Sequence, residues 1–225
     1  MNKTLLLVFI VTAVLWPACS RNQAPPEPRT PAESAARALA GRLLPGRAQG
    51  FVFEQITPEE GRDVFEVESR DDRIVIRGSN GVAMASGLNW YLKTVCRCLV
   101  SVSGDQLAVP TPLPPVRDKV RLRTPYKDRY FFNYCTFSYT MAWWDWPRWE
   151  RMIDWLALNG VNMPLAVTGQ EAVWVEVLRE LGFNDGEIGD FIVGPAYLPW
   201  GWMGNIDGLG GPLPVTWIRS HAELE

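Results

Sequence analysis

Histidine is nearly missing from this chain. His221 is the single one in 225 residues, and four cysteines complete the set of soft metal ligands. With no Cys/His cluster, the composition argues against a zinc site. Cys96 and Cys98 stand two apart, a spacing wrong for a zinc knuckle and strained for a mutual disulfide. Positive charge is not in excess either. The chain carries 22 basic against 25 acidic residues, and removing Lys3 with an N-terminal leader leaves 21 against 25. No basic stripe exists, so nucleic acid is a poor partner. The glycines from Gly204 to Gly211 lack both the spacing of a phosphate-cradling loop and the Lys-Ser/Thr that follows one.

What the chain has in plenty is tryptophan. Nine of the eleven fall between Trp143 and Trp217. So many large aromatic side chains exceed what an ordinary core needs, and some are expected to line a concave site, stacking on the C–H face of a sugar ring. The same region reads as two strand–helix units. Arg129 to Cys135 is an aromatic run closed by polar residues, which suits a buried parallel strand. Asp145 caps a helix with Pro147 in its first turn, and Trp149, Met152, Ile153 and Leu156 recur at helical spacing. Asn159-Gly160 supplies the left-handed stop. Val161 to Val167 is a second apolar strand, and Gln170 to Leu181 a second helix with Val173, Val177 and Leu181 on one face. Such alternation predicts a parallel sheet, with a (β/α)8 TIM barrel as the first expectation for a large enzyme. In a barrel the chemistry sits where strands end, which singles out Asn133 and Cys135 after the first strand and Gln170 and Glu171 after the second. The alternative for these four is helix capping and filling of the barrel mouth.

Upstream, residues 1–19 have the form of an export signal: Lys3 in the n-region, an apolar stretch from Leu5 to Leu15, then Trp-Pro-Ala-Cys. Cys19 at that position points to a lipoprotein whose acylated cysteine becomes the new N-terminus. Simple cleavage and release is the alternative, since Trp16 and Pro17 are bulkier than usual lipobox residues. A lipid anchor predicts an exported protein held at a membrane surface, in the periplasm or on the cell surface. Residues 20–29, with Pro25, Pro26 and Pro28, read as a tether. Thr30 to Glu33 has the form of a capping box opening an Ala-rich helix to about Leu44. Strands are expected over Phe51 to Ile56, Asp63 to Glu68, Arg73 to Arg77 and Leu99 to Val102. A helix carrying Val82, Ala85, Leu88, Leu92 and Val95 lies among them. Residues 30–115 thus form a small α+β N-terminal domain. The four prolines between Pro110 and Pro115 make a stiff connector, which sets the boundary near residue 116.

The run FNYCTFSYTMAWWDWPRWERMIDWLALNGVNMPLAVTGQEAVW, then GPAYLPWGWMGN and GPLP, resembles the opening of the catalytic barrel of the α-N-acetylglucosaminidases, family 89 of the glycoside hydrolases. The likeness reaches upstream through ASGLNWYLKTVCRCLVSVSGDQLAVPTPLPPV and covers roughly residues 50 to 222. The resemblance implies exo-acting, retaining removal of terminal α-linked N-acetylglucosamine from a glycan, with no metal or organic cofactor. Two glutamates would do the chemistry, their carboxyls about 5–5.5 Å apart, one attacking the anomeric carbon while the other protonates the leaving oxygen. Both fall beyond residue 225 in the family's pattern, so no catalytic residue is carried onto this chain, and Glu171 does not stand in for one.

The resemblance also implies part of the sugar pocket: Asn133 and Cys135 from Asn-x-Cys, and Trp200 and Met203 from Trp-Gly-x-Met-Gly-Asn. Asn133 offers a donor and an acceptor for ring hydroxyls, and Trp200 a flat apolar face. Plain packing is the alternative for Cys135, Trp200 and Met203. Trp202 stands where relatives carry an arginine. A barrel takes about 250 residues, so 116–225 is expected to be only its start, a truncated fragment, leaving half the apolar surface of Trp149, Met152 and Ile153 unpartnered. A non-catalytic carbohydrate-binding surface lipoprotein is the alternative function, and a non-functional truncation a third.

Overall fold

Helix α1 (Pro31–Leu43) begins where Thr30 and Pro31 place it. The computed structural model describes residues 26–167, 169–192, 200, 201, 203 and 216. In it the Thr30 hydroxyl accepts from the Glu33 amide at 3.2 Å. Glu33 does not complete the expected box on Thr30. Its carboxylate accepts instead from the Arg29 amide at 2.5 Å and the Gln55 amide at 2.9 Å, so this buried glutamate joins α1 to strand β1 (Phe51–Gln55).

Strands β2 (Val64–Arg70) and β3 (Arg73–Gly78) follow, then helix α2 (Gly81–Thr94), capped by the Asn80 side chain on the Ala83 amide at 2.9 Å. The sheet order is β1-β3-β2-β4, with β1 parallel to β3 and the other pairs antiparallel. Both helices pack on the sheet through Leu39, Ala40, Met84, Leu88, Tyr91 and Leu92 against Phe51, Val67, Ile74 and Ile76. Contact between α2 and the sheet is close enough to need glycine. A Cβ on Gly78 would lie 2.5 Å from the Met84 backbone nitrogen, and one on Gly87 would lie 2.8 Å from Ile76 Cγ2.

Two features depart from the composition-based reading. Leu99 to Val102 does not form a strand: it makes one isolated bridge, Leu99 to Gln106. Strand β4 (Val120–Arg123) takes the edge beside β2 instead, so the N-terminal sheet runs past residue 116. The proline-rich connector is not a free spacer. It is strapped down where Tyr91 Oη donates to the Pro114 carbonyl at 2.8 Å and the Val116 amide donates to Ser69 Oγ at 2.8 Å. Arg47 adds two bonds, from Nη1 to the Val109 carbonyl and from Nη2 to the Pro110 carbonyl, each 2.5 Å.

The second half contains β5 (Tyr130–Phe131), a four-residue helix α3 (Thr136–Tyr139), α4 (Trp146–Leu158), β6 (Met163–Pro164), α5 (Gln170–Glu180) and α6 (Asp185–Phe191). Asp145 caps α4 as expected, accepting from the Arg148 amide at 3.1 Å, and Asn159 with Gly160 at φ 77° ends it. β5 and β6 are adjacent and parallel, the arrangement that a βα alternation demands. They are shorter than the predicted strands and exposed rather than buried, because no third strand flanks the pair among the described residues. Helix α5 also departs from expectation. Its buried residues are Ala172 and Val175, while Val173, Val177 and Leu181 face outward. On α4, Met152 is buried in a small core with Phe137, Met141, Leu156 and Val167, and Trp149 packs on it; only Ile153 of the expected trio is exposed.

The two halves share one seam. Leu158, at the end of α4, is 1% exposed and belongs to the N-terminal core. Asn89 Nδ2 donates to the Leu158 carbonyl at 2.9 Å, and Arg42 grips the buried Asp154 with two bonds, 2.8 and 2.6 Å. Arg129 bonds Asp63 and the Gly160 carbonyl, fixing the entry of β5. The 1–19 leader, the tether before Glu27 apart from Pro26 and most of the 193–225 stretch lie outside the described residues.

Candidate functional site

Strand β5 ends at Phe131, and the chain turns at once into α3. Phe132 takes φ 76° to make that turn, a conformation costly for a β-carbon residue and held here by its ring packing against Phe131 and Phe137. Asn133 follows. Its Oδ1 accepts from the Thr136 amide at 3.0 Å and from Thr136 Oγ1 at 2.7 Å, so the acceptor end caps the turn while the exposed side chain leaves its amide N–H groups to solvent. Asn133 thus arrives as a positioned donor rather than the donor-acceptor pair inferred from its type. Cys135 is a free thiol, half-buried, at the start of α3.

Trp200 reaches this loop from sixty-odd residues along the chain. Its ring meets Tyr139 edge-on, centroids 5.1 Å apart at 76°. Tyr139 ends α3 and is 71% exposed, so Asn133, Cys135 and Trp200 gather around one short helix at the end of β5. Met203 is half-buried in a turn just beyond. Tyr139 was not singled out from sequence. Its signal was available only in hindsight, as an aromatic four residues after Cys135 on the strand-end loop.

The tryptophans divide into two groups. Trp144 and Trp149 pack at 5.1 Å, Phe137 stacks on Trp149 at 6.0 Å, and Phe131 tilts on Trp155 at 5.4 Å; these build the small core. Trp143, on the β5–α4 connection, and Trp146, the first residue of α4, are exposed. Trp200 apart, three of the described tryptophans of this stretch thus serve packing, and three, Trp174 among them, lie at the surface. At the end of β6, buried Gly169 at φ 90° turns the chain into α5. Gln170 and Glu171 open that helix, where the Glu171 carboxylate complements the positive end of the helix dipole. Cys19 lies outside the described residues.

With that geometry in place, comparison with known proteins is decisive. The TIM-barrel domain model of α-N-acetylglucosaminidase (NAGLU) matches residues 129–225, and the N-terminal domain model of the same family matches residues 34–115. The chain belongs to the α-N-acetylglucosaminidase family, glycoside hydrolase family 89. Human α-N-acetylglucosaminidase is 46% identical over 197 residues, covering 85% of this chain and 26% of the human protein. A family 89 glycoside hydrolase from Clostridium perfringens, solved in complex with PUGNAc, superposes with a TM-score of 0.81 at 43% identity. That match covers 86% of this chain and 22% of the bacterial one. The same bacterial enzyme, with two glutamates changed to glutamine, has been solved with its substrate GlcNAc-α-1,4-galactose, again at a TM-score of 0.81 and 43% identity. The chain spans 26% and 22% of the lengths of these two relatives. The family boundary at residue 129 coincides with the entry to β5, beyond the β4 edge strand.

Proposed function

We propose that this chain is the N-terminal part of an exo-acting, retaining α-N-acetylglucosaminidase that hydrolyses terminal α-linked N-acetylglucosamine from glycans. The observation that carries the reading is 46% identity to the human enzyme across both family domains. The placement of Asn133, Cys135 and Trp200 around the loop leaving β5 supports it, since a parallel strand's C-terminal end is where such a barrel does its chemistry. In this reading β5 and β6 are the first strands of a (β/α)8 barrel, and the outward apolar face of α5 is covered by later elements.

Asn133 donates its amide N–H to a ring hydroxyl. Trp200, braced by Tyr139, offers a face to the pyranose or its acetamide methyl, with Cys135 and Met203 completing the wall. The nucleophile and the acid/base are two glutamates beyond Glu225, their carboxyls about 5–5.5 Å apart. Residues 1–225 alone are therefore inactive in this reading, and no cofactor takes part. The N-terminal signal with Cys19 makes the protein exported and lipid-anchored, its glycan partner meeting it at the membrane surface or in the periplasm.

Hydrolysis of 4-nitrophenyl α-N-acetylglucosaminide by the complete gene product tests the reading. Release of nitrophenol with retained anomeric configuration, lost on replacing either of two downstream strand-end glutamates, supports it. Glycan binding without turnover by the complete product favours a surface sugar-binding lipoprotein and overturns it.

A further inference from the structure

The loop that carries Asn133 hangs from a strand only two residues long. Both residues of β5 are exposed, and β6 is its one neighbour among the described residues. Only Tyr130, Phe131 and Phe132 separate Arg129 from Asn133, so whatever holds Arg129 holds the loop.

Arg129 is held from several directions at once. Its Nε donates to the Gly160 carbonyl at the end of α4, and Nη1 donates to the carbonyls of Tyr126 at 3.0 Å and Lys127 at 3.1 Å. Nη2 crosses to Asp63 Oδ2 in the N-terminal domain, and the backbone amide donates to Asn162 Oδ1 at 2.8 Å. A planar guanidinium using Nε and both terminal nitrogens together has one orientation open to it. Asp63 is fixed in turn. Its Oδ1 accepts from Asn80 Nδ2 at 2.6 Å and from Ser79 Oγ at 3.1 Å, and Asn80 is the residue that caps α2. The Asp63 and Arg129 side chains are each 17% exposed, which shields the pair from most solvent screening.

We propose that Arg129, seated on Asp63, is a positioning residue for the sugar pocket: through it the N-terminal domain sets where Asn133 presents its amide, and with that the affinity for substrate. The proposal rests on the glycosidase reading above. A contact at the entry of a barrel strand ordinarily serves stability. Here the strand is too short and too sparsely flanked to set its own place. Asn133 Oδ1 is also tied to Thr136, so the loop moves with β5 instead of readjusting on its own. A displacement of about 1 Å at a group that contacts substrate is enough to be felt in the kinetics.

Steady-state kinetics of the complete gene product on 4-nitrophenyl α-N-acetylglucosaminide, well below the thermal transition, test this. Arg129→Ala should raise KM about tenfold and leave kcat within about twofold, and Asp63→Asn should raise KM about threefold. In an Asn133→Ala background Arg129→Ala should add less than about threefold, because both changes act through the same bond to substrate. A purely structural role predicts otherwise: fewer folded molecules lower the apparent kcat at unchanged KM, and the effect is the same with or without Asn133. Either result overturns the proposal. Should Arg129→Ala not fold, Asp63→Asn, which keeps an oxygen for Ser79 and Asn80, is put through the same cycle, and an unchanged KM overturns the proposal. Absence of turnover by the unsubstituted product overturns the glycosidase reading instead, and the proposal falls with it.

Discussion

Leu158 is the residue whose removal reports most directly on how the chain is put together. It sits at the end of α4, in the sequence of the barrel segment, yet its side chain is 1% exposed and packed in the N-terminal core. Its carbonyl is held by Asn89 and its helix is anchored by the Arg42–Asp154 pair, so the backbone around a cavity at this position has little room to collapse. Leu158→Ala should therefore fall in the middle or upper part of the usual range for a buried leucine, about 3–4 kcal/mol. That is a factor of a few hundred in the folding constant, at about 1.4 kcal/mol per decade.

Leu156, 4% exposed, faces the other cluster with Phe137 and Met152, and Leu156→Ala should cost about 2–3 kcal/mol. Urea unfolding followed by tryptophan fluorescence and by far-UV circular dichroism reads both variants. The seam predicts that each substitution moves one shared transition, at unchanged slope, in both signals. A loss below about 1 kcal/mol for Leu158→Ala would refute its place in the N-terminal core. Two separate transitions, each moved by only one of the variants, would refute the shared seam.

Gly78→Ala should cost about 2–3 kcal/mol in the same assay, because its Cβ would meet the Met84 backbone nitrogen at 2.5 Å, where no side chain can swing aside. Arg42→Ala leaves Asp154 buried without its two bonds; Arg42 itself is 40% exposed, so the loss should be about 1–2 kcal/mol after solvent screening, and a double-mutant cycle with Asp154→Ala isolates the pair. Burial alone would raise the Glu66 carboxyl, but bonds and charge from Lys119 and Arg121 hold it below its ordinary value. A carboxylate depressed in the folded state stabilises the fold above its unfolded pKa of about 4.3 and loses that contribution as pH falls through the lower folded value. Glu66→Gln should therefore flatten the acid limb of the stability-pH curve below about pH 4.3 and lower the plateau above it. In the complete gene product, Asn133→Ala should raise KM for 4-nitrophenyl α-N-acetylglucosaminide by roughly tenfold, through loss of one bond to a ring hydroxyl, whereas an unchanged KM and kcat would remove Asn133 from the pocket.

Much of the secondary structure was legible because its causes are local. Thr30, Asn80 and Asp145 cap their helices within three residues, and Asn159-Gly160 stops α4 through φ 77° at the glycine. Of the candidate site, Asn133, Cys135 and Trp200 were named from motif; Asn133 and Cys135 lead into α3, and Trp200 touches that helix through Tyr139, which was not named. A contact spanning residues 139 to 200 leaves no mark in either stretch. The outward turn of Val173, Val177 and Leu181 was hidden for another reason: periodicity says which residues share a helix face, not what that face meets.

By itself, then, the sequence determined the caps and stops, the β-α-β-α alternation with its parallel pairing, and the family, since each is written in short spacings or in a long tryptophan-rich motif. Tertiary structure alone decided that Val120–Arg123 completes the N-terminal sheet, that the proline segment is strapped to Tyr91 and Ser69, and that Leu158 and Asp154 lock α4 onto the N-terminal domain. The reason is distance along the chain. Arg42 and Asp154 are 112 residues apart, and a bond of that span is settled by which surfaces the assembled elements leave to be filled, not by any pattern within either segment.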